Sequence, residues 1–503
     1  METFILLFDG LGTALQPMNL FLALVGVMLG TAVGVMPGIG PALTVALLLP
    51  VSLSFGATGS LIMFAGIYYG GMYGGAISSI LLNTPGETAS IMTALEGNRM
   101  AKSGRGGKAL GAAAIGSFFG GTLATLGLAL VAPFMVKVAL SFGTAEYFAL
   151  MVLSFMTVSA AFGGSMLRGL TALFIGLTIG IVGTDKLTGQ VRLAFGIPEM
   201  SDSISIAIVA VGLFAVGETF YLASQRMNHL EKAEAVKGSV WLNLADLKRC
   251  IRPYLRGTGL GFLFGPLPTG GAEIPTFLSY TTEKRLARGE AKREFESGAG
   301  AIEGVAGPES ANNASAAGTL IPLLTLGLPT SATAAMMLAG FQQYGLQPGP
   351  LLFTNNADIV WGLIASLLIA NLMLVVLNMP FIGIWVKLLT IPRPFLYAGI
   401  LTFATLGIVG AQGSAFALVL LLGFGLVGMV MRRFGYPLAP ALVGAILGPL
   451  AEEQLRRGLM INRGDWSFLV TSNIALTIYA IALLAIFGPR LWVMASSRLR
   501  PAR

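Results

Sequence analysis

Two short stretches interrupt apolar sequence with residue types that could bind a charged ligand: Asn83-Thr84-Pro85-Gly86-Glu87-Thr88 and Leu326-Gly327-Leu328-Pro329-Thr330-Ser331-Ala332-Thr333. Proline lacks an N–H, glycine lacks a Cβ, and Asn and Thr side chains compete for backbone hydrogen bonds, so a helix entering either stretch should stop. In hydrocarbon, the freed N–H and C=O groups are tolerated only where protein or a water-filled cavity covers them, which marks both breaks as binding-site candidates. Half-helix N-termini direct unpaired N–H groups at anions, and unwound carbonyls hold a small cation. Neither stretch contains Lys or Arg. A carboxylate ligand would therefore be held by helix dipoles and by the hydroxyls of Thr84, Thr88, Thr330, Ser331 and Thr333, whereas a sugar site would call for aromatic rings. Two carboxylates in apolar surroundings, Glu87 and Glu309, are candidates for a coupling proton or cation. Glu87 suits a second role equally well, as the cap of a half-helix N-terminus. Glu273 and Glu303 also lie next to apolar sequence.

The elements that must position these residues are membrane helices. Of the 503 residues, 55% are hydrophobic and 11% charged, against about 25% charged in soluble domains, and the mean hydropathy is +0.80. Runs such as Met18 to Met36, Ala109 to Val136, Ile204 to Leu222, Ile359 to Met379 and Phe468 to Phe487 approach or exceed the roughly 20 residues needed to span. They lack the alternation of barrel strands, so the fold class is an all-α integral membrane protein with roughly ten to fourteen membrane segments, counting those that turn back. The single Cys250 and single His229 exclude an intrachain disulfide and a Cys/His zinc site. No P-loop, Gly-x-Ser-x-Gly or His-Glu-x-x-His element occurs, so neither an ATP-driven pump nor an enzyme is expected, and no cofactor beyond a coupling ion, Na+ or H+. The net charge of +8 sits in short clusters between apolar runs, which fits cytoplasmic loops rather than nucleic-acid binding. The N-terminus has no basic region, and no removable signal peptide is expected. The 67 glycines, many spaced as in Gly70-x-x-x-Gly74, Gly116-x-x-x-Gly120 and Gly176-x-x-x-Gly180, point to close helix packing within the chain.

The chain repeats itself. Gly34, Pro37 and Gly40 fall on Gly265, Pro268 and Gly271 at an offset of 231, and Pro85 falls on Pro329 at an offset of 244. Further on, Pro133-Phe134 matches Pro380-Phe381 and Gly164-Ser165 matches Gly413-Ser414, with offsets that grow slowly as in two diverged copies. Arg99, Lys102, Arg105 and Lys108 follow the first break, while the matching loop from Gln342 to Asp358 has no Lys or Arg. The reverse holds upstream, where Ser52 to Gly59 is uncharged and its counterpart carries Lys284, Arg285, Arg288, Lys292 and Arg293. Cytoplasmic loops collect Lys and Arg, so the copies are expected to be inverted. Residues 1–224 form the first half, with a re-entrant hairpin near 37–58 and a broken helix at 83–88. A basic cytoplasmic connector spans 225–256, in which His229 and Cys250 carry no function. Residues 257–503 form the second half, with a hairpin near 266–282 and a broken helix at 327–333. Inverted halves, hairpins and broken helices together are the plan of secondary transporters that bind substrate near the bilayer midplane.

Gly-Val-Met-Pro-Gly-Ile-Gly-Pro (34–41), Tyr-Tyr-Gly-Gly-Met-Tyr-Gly-Gly (68–75), Leu-Leu-Asn-Thr-Pro-Gly-Glu (81–87), Gly-Pro-Glu-Ser-Ala-Asn-Asn-Ala (307–314) and Leu-Gly-Leu-Pro-Thr-Ser (326–331) together resemble TctA, the large membrane subunit of the tripartite tricarboxylate transporters. The resemblance covers nearly the whole chain. It implies a bacterial inner-membrane location and two partners, a small four-helix membrane subunit and a periplasmic binding protein that delivers a di- or tricarboxylate, with uptake driven by an ion gradient. The candidate substrate site then comprises Pro37, Gly38, Gly40, Asn83, Thr84, Pro85, Gly86, Thr88, Asn312, Asn313, Pro329, Thr330, Ser331 and Thr333, with Glu87 and Glu309 for the coupling ion and Na+ at the helix breaks as the metal to consider. The alternative is a cation transporter or exchanger that uses the intramembrane carboxylates without an organic anion.

Overall fold

The computed structural model describes residues 2–36, 39–162, 165–185, 187–225, 234, 236–267 and 271–484. Pro37, Gly38, Gly164, His229 and Pro268, singled out above, lie outside the described residues. The described chain is almost wholly α-helical, and its one sheet pairs Gly183–Thr184 with Val191–Arg192 in antiparallel register. Among the described residues, seven helical runs are long and apolar enough to cross a membrane: Pro17–Val35, Pro41–Leu82, Thr88–Ala139, Ile206–Ser224, Ala357–Leu388, Arg393–Gln412 and Ala415–Arg433. Shorter apolar helices add Thr3–Ala14, Thr144–Ala160, Met166–Gly180 and Asn473–Leu484.

Two helices form the centre. Gly56–Leu82 is buried without interruption from Gly59 onward, and Glu303–Leu326 from Glu303 to Thr325. Because protein covers the second on every side, it can carry Glu309, Ser310, Asn312, Asn313 and Ser315, all fully buried, where a lipid-facing helix could not. Each central helix is gripped by its own predecessor through a ladder of glycines. A methyl group on Gly26, Gly30 or Gly34 would stand 2.3, 2.4 and 2.4 Å from the carbonyl oxygens of Met63, Ile67 and Gly71. In the second half, methyls on Gly257, Gly261 and Gly265 would stand 2.2, 2.2 and 2.5 Å from those of Gly307, Ala311 and Ser315. The two ladders match rung for rung at the offsets of 231 and 244 found in the sequence. Only glycine permits this approach, which replaces side-chain interdigitation with backbone contact. The Gly116 and Gly120 pair packs likewise on Ala306 and Ser310, and Gly176 and Gly180 on Ala441 and Ala445, all within the chain.

The partner helices are exchanged between halves. Gly106–Ala139 packs on Glu303–Leu326, and Ala357–Leu388 packs on Gly56–Leu82. A second packing group joins Met166–Gly180 to Leu438–Ile461 and the Ile206–Ser224 run to Ala415–Arg433. That run contains a π-helical segment, Val211–Val216.

The loops pair in the same crossed manner. Arg105, after the first break, donates to Glu294 (2.5 Å) and to the carbonyls of Ala299 (2.8 Å) and Gly300 (2.7 Å). Gln343 and Tyr344, after the second break, donate to the carbonyls of Leu49 (2.7 Å) and Ser52 (2.6 Å). The basic loops of the two halves therefore meet each other, and the uncharged loops meet each other.

The basic stretch before residue 256 is not a separate linker throughout. A helix begins at Leu244, capped where Asn243 Oδ1 accepts from the Asp246 amide (2.7 Å), and runs to Phe264. Its charges are absorbed by neighbours: Arg249 pairs with Glu294 (2.5 Å) and Glu303 (2.7 Å), and Lys108 with Asp246 (2.9 Å). Cys250 is fully buried inside this helix rather than solvated.

Candidate functional site

Both predicted breaks are present. The helix Gly56–Leu82 stops at Asn83, which adopts the left-handed conformation (φ 53°), and the chain re-enters helical structure through the 3-10 turn Thr88–Ser90 and the helix Ile91–Met100. Glu303–Leu326 stops at Gly327 (φ 71°), also left-handed, and restarts at Ala332. Asn and Gly are the residues that tolerate this helix-terminating conformation. The two stops fall on equivalent positions, and Pro85 and Pro329 lie two residues beyond each.

Each break is seated against the end of a glycine-ladder helix, Pro17–Val35 for the first and Leu244–Phe264 for the second. Thr330 Oγ1 donates to the Gly265 carbonyl (3.2 Å). At the equivalent place Gly86 presses so closely on Gly34 that a methyl there would stand 1.9 Å from the carbonyl oxygen. Gly86, a candidate substrate contact, therefore faces the protein backbone on this side. Thr84 Oγ1 is likewise turned back, onto the Leu82 carbonyl (3.2 Å).

The start of the Glu273–Leu286 helix lies between the two breaks. Thr88 Oγ1 donates to Glu273 Oε1 at 2.5 Å, which ties the first break to this helix. Two residues earlier, Gly271 approaches the second break, where a methyl on it would stand 3.5 Å from Ser331 Cβ. Ser331 Oγ accepts from the Ala334 amide (3.1 Å) as the N-cap of Ala332–Gln343, and lies 3.2 Å from the Tyr68 hydroxyl of the first half. Tyr68 in turn lies 3.0 Å from Thr319 Oγ1. Hydrogen bonds thus join Thr88 to Glu273 and Tyr68 to Ser331 across the halves, with Gly271 close to Ser331. Tyr68 was missed as a site residue because a tyrosine inside an apolar run reads as core, and nothing local marks its hydroxyl as facing the other half.

The remaining candidates divide by environment. Asn83 and Thr88 are exposed and Thr84, Pro85 and Glu87 half-buried, while Pro329, Thr330 and Thr333 are buried. Gly40 is half-buried at the start of Pro41–Ser52, where its carbonyl accepts from the Thr44 amide (3.3 Å). Asn312 Nδ2 reaches the Met72 carbonyl (3.4 Å) and Asn313 Nδ2 the Glu309 carbonyl (3.4 Å), but both Oδ1 atoms are buried without a hydrogen-bond partner among the described residues. Glu87 makes no side-chain cap, and its Oε2 is also buried without a partner. Glu309 is fully buried, accepting from Thr93 Oγ1 at one carboxylate oxygen and from Ser117 Oγ (3.4 Å) at the other. No Lys, Arg or His pairs with Glu87 or Glu309 among the described residues. A buried carboxylate without a countercharge carries a desolvation penalty of several kcal/mol, which a bound proton or cation removes. The geometry suits a site that binds hydrogen-bond acceptors at helix ends and positive charge at carboxylates.

The family described as the tripartite tricarboxylate transporter TctA family matches residues 20–443. An Agrobacterium vitis protein described as an uncharacterized 52.8 kDa protein in the TAR-I ttuC' 3' region is 45% identical over 477 residues, 95% of this chain and 94% of that one. A second from the same organism, described as an uncharacterized protein in the TAR-II ttuC' 3' region, is 45% identical over 226 residues, 45% of this chain and 92% of that one. No solved structure matches.

Proposed function

Because the chain belongs to the tripartite tricarboxylate transporter TctA family, and is therefore a multi-pass membrane component of such a transporter, we propose that it carries an organic di- or tricarboxylate inward by ion-driven symport, through a site where its two helix breaks meet. The observation that supports this reading is the start of the Glu273–Leu286 helix, where Glu273 accepts from Thr88 of the first break and Gly271, two residues earlier, lies close to Ser331 of the second. Helix-end N–H groups and hydroxyls from Asn83, Thr84, Thr88, Thr330, Ser331 and Thr333 receive the substrate carboxylates. With no basic residue at either break, the anion's charge is offset by helix dipoles and by the co-transported cation or proton. Glu309 and Glu87 take that positive charge.

The halves are inverted repeats in this proposal, with Pro41–Ser52 and Glu273–Leu286 as the inner helices of re-entrant hairpins. The matched glycine ladders and crossed loop contacts support it, and so does the length of Pro41–Ser52, which at 12 residues is too short to span. The Arg99–Lys108 and Lys284–Arg293 segments then face the cytoplasm, and Gln342–Asp358 the opposite side. The partners are a small four-helix membrane subunit and a periplasmic binding protein, in a bacterial inner membrane.

The test is reconstitution into liposomes with an imposed cation gradient. Uptake of a labelled di- or tricarboxylate that requires both the gradient and a cognate binding protein is the expected result. Cation flux that proceeds undiminished with no organic acid present refutes the proposal and favours a cation carrier.

A further inference from the structure

The two breaks are built alike but furnished differently. At the second, Tyr68, Thr319 and Ser331 satisfy one another through contacts of 3.0 and 3.2 Å. At the offset of 244 their counterparts are Asn312, Gly75 and Glu87. A shorter amide replaces the phenol, no side chain replaces the threonine, and a carboxylate replaces the serine. The result is a set of oxygens that do not satisfy one another: Glu87 Oε2, Ser90 Oγ and Asn312 Oδ1 are all buried with no hydrogen-bond partner among the described residues. Ser90 and Asn312 are fully buried. Their side chains lie along one stretch of the Gly56–Leu82 helix, from Met72 to Gly75. The point where a Cβ on Gly75 would stand is 2.6 Å from Ser90 Oγ and 3.5 Å from Glu87 Cβ, and one turn earlier Asn312 Nδ2 reaches the Met72 carbonyl at 3.4 Å.

We propose that Glu87 Oε2, Ser90 Oγ and Asn312 Oδ1 bind a monovalent hard cation, Na+, over Gly75. An all-oxygen donor set selects a hard cation over a transition metal. One carboxylate with two neutral oxygens balances a single positive charge, and the glycine admits Ser90 Oγ and the Glu87 segment, whose backbone N lies 3.2 Å from the point a Cβ would occupy, where the other half places a threonine. The same ion removes the penalty of a buried carboxylate oxygen that lacks any donor. Glu273, held by Thr88 at 2.5 Å, adds a second negative charge nearby that favours a cation and disfavours an unaccompanied carboxylate substrate. Na+ binding at the first break would therefore precede or accompany substrate binding. That role as coupling ion rests on the carrier reading above, while the site itself does not.

The experiment is the melting temperature of the purified chain in detergent, titrated with NaCl against choline chloride at constant ionic strength. Saturable stabilisation by Na+ and none by choline is expected. Glu87→Gln and Asn312→Leu should each raise the half-saturating Na+ concentration by about tenfold or more, the loss expected for one ligand to a charged group. Gly75→Ala, which places a methyl against Ser90 Oγ, should do the same. Ser90→Ala is the mildest change and guards against variants that fail to fold; its expected effect is a smaller shift in the same direction. Absence of any Na+ effect over choline overturns the site, as does an unchanged Na+ midpoint in both Glu87→Gln and Ser90→Ala. Stabilisation that follows pH but not Na+ also overturns it, assigning the carboxyl to a proton. No organic acid or binding protein is present, so failure of carboxylate uptake in liposomes leaves this readout intact.

Discussion

Replacing Ser331 with alanine separates the two duties that the structure gives its hydroxyl. Its Oγ caps the Ala334 amide at 3.1 Å and lies 3.2 Å from Tyr68, which keeps Thr319 at 3.0 Å after the change. Loss of an N-cap costs about 1 kcal/mol of stability. If the same hydroxyl also meets a substrate carboxylate, affinity should fall by a further share of about 1.5–3 kcal/mol, roughly ten- to a hundredfold. Thermal denaturation in detergent reads the first effect, and the concentration dependence of carboxylate uptake in liposomes reads the second. Ser331→Asn distinguishes them, because asparagine caps a helix as well as serine does but cannot present a hydroxyl at the same point. It should restore stability and leave affinity low. Thr84→Ala, which removes only a local bond to the Leu82 carbonyl and the hydroxyl offered to the ligand, should keep stability and weaken affinity. Wild-type affinity in both Ser331→Ala and Thr84→Ala refutes the shared site and leaves the breaks as turns.

The glycine ladder predicts a contrast between near neighbours: Gly261→Val, whose Cβ would meet the Ala311 carbonyl at 2.2 Å, should destabilise by about 1–3 kcal/mol or prevent folding, whereas Gly259→Val, with nothing within 4 Å, should be nearly neutral in denaturation. A cysteine at Gln347 should be labelled by an impermeant maleimide from the periplasmic side alone, the buried Cys250 contributing no background; labelling only from the cytoplasm sinks the inverted arrangement. Glu309→Gln keeps an acceptor oxygen for Thr93 and offers an amide N–H that Ser117 Oγ can accept, so the protein should fold, with gradient-driven accumulation lost and substrate counterflow retained; full accumulation in the variant removes Glu309 from coupling. Outside the membrane helices, the Arg456 hydrogen bond, then Thr188 and the Leu187 amide, hold the Asp185 carboxyl well below its ordinary range. A depressed folded-state value gives stability that is complete above the unfolded value of about 4 and is lost as pH falls further. The melting temperature of wild type should therefore exceed that of Asp185→Asn at neutral pH, and the difference should shrink toward pH 3; a gap that widens on acidification contradicts the sign.

Much of the candidate site is legible in one dimension because helix breaking is local. Asn83 and Gly327 end helices in the left-handed conformation, Pro85 and Pro329 stand two residues beyond, and the breaks lie within the stretches those residue types mark. Hydropathy marks the membrane class, and charge asymmetry groups the loops, since both follow from solvation of the residues themselves. The repeat offsets relate the two glycine ladders rung for rung, but which carbonyls they meet is visible only in the structure. Hydropathy fails at Glu303–Leu326, whose polar residues are tolerated because neighbouring helices, not lipid, surround them. Orientation is equally hidden: Gly86 reads as a substrate contact, yet it abuts the Gly34 carbonyl, and Cys250 reads as a linker residue, yet it is buried. Only tertiary structure could decide that Tyr68 reaches Ser331, that Glu273 stands beside Thr88, and that Asn312, Ser90 and Glu87 are left with oxygens facing no donor. Such contacts join residues far apart in sequence, and their existence depends on how two halves pack, a property that no local pattern encodes.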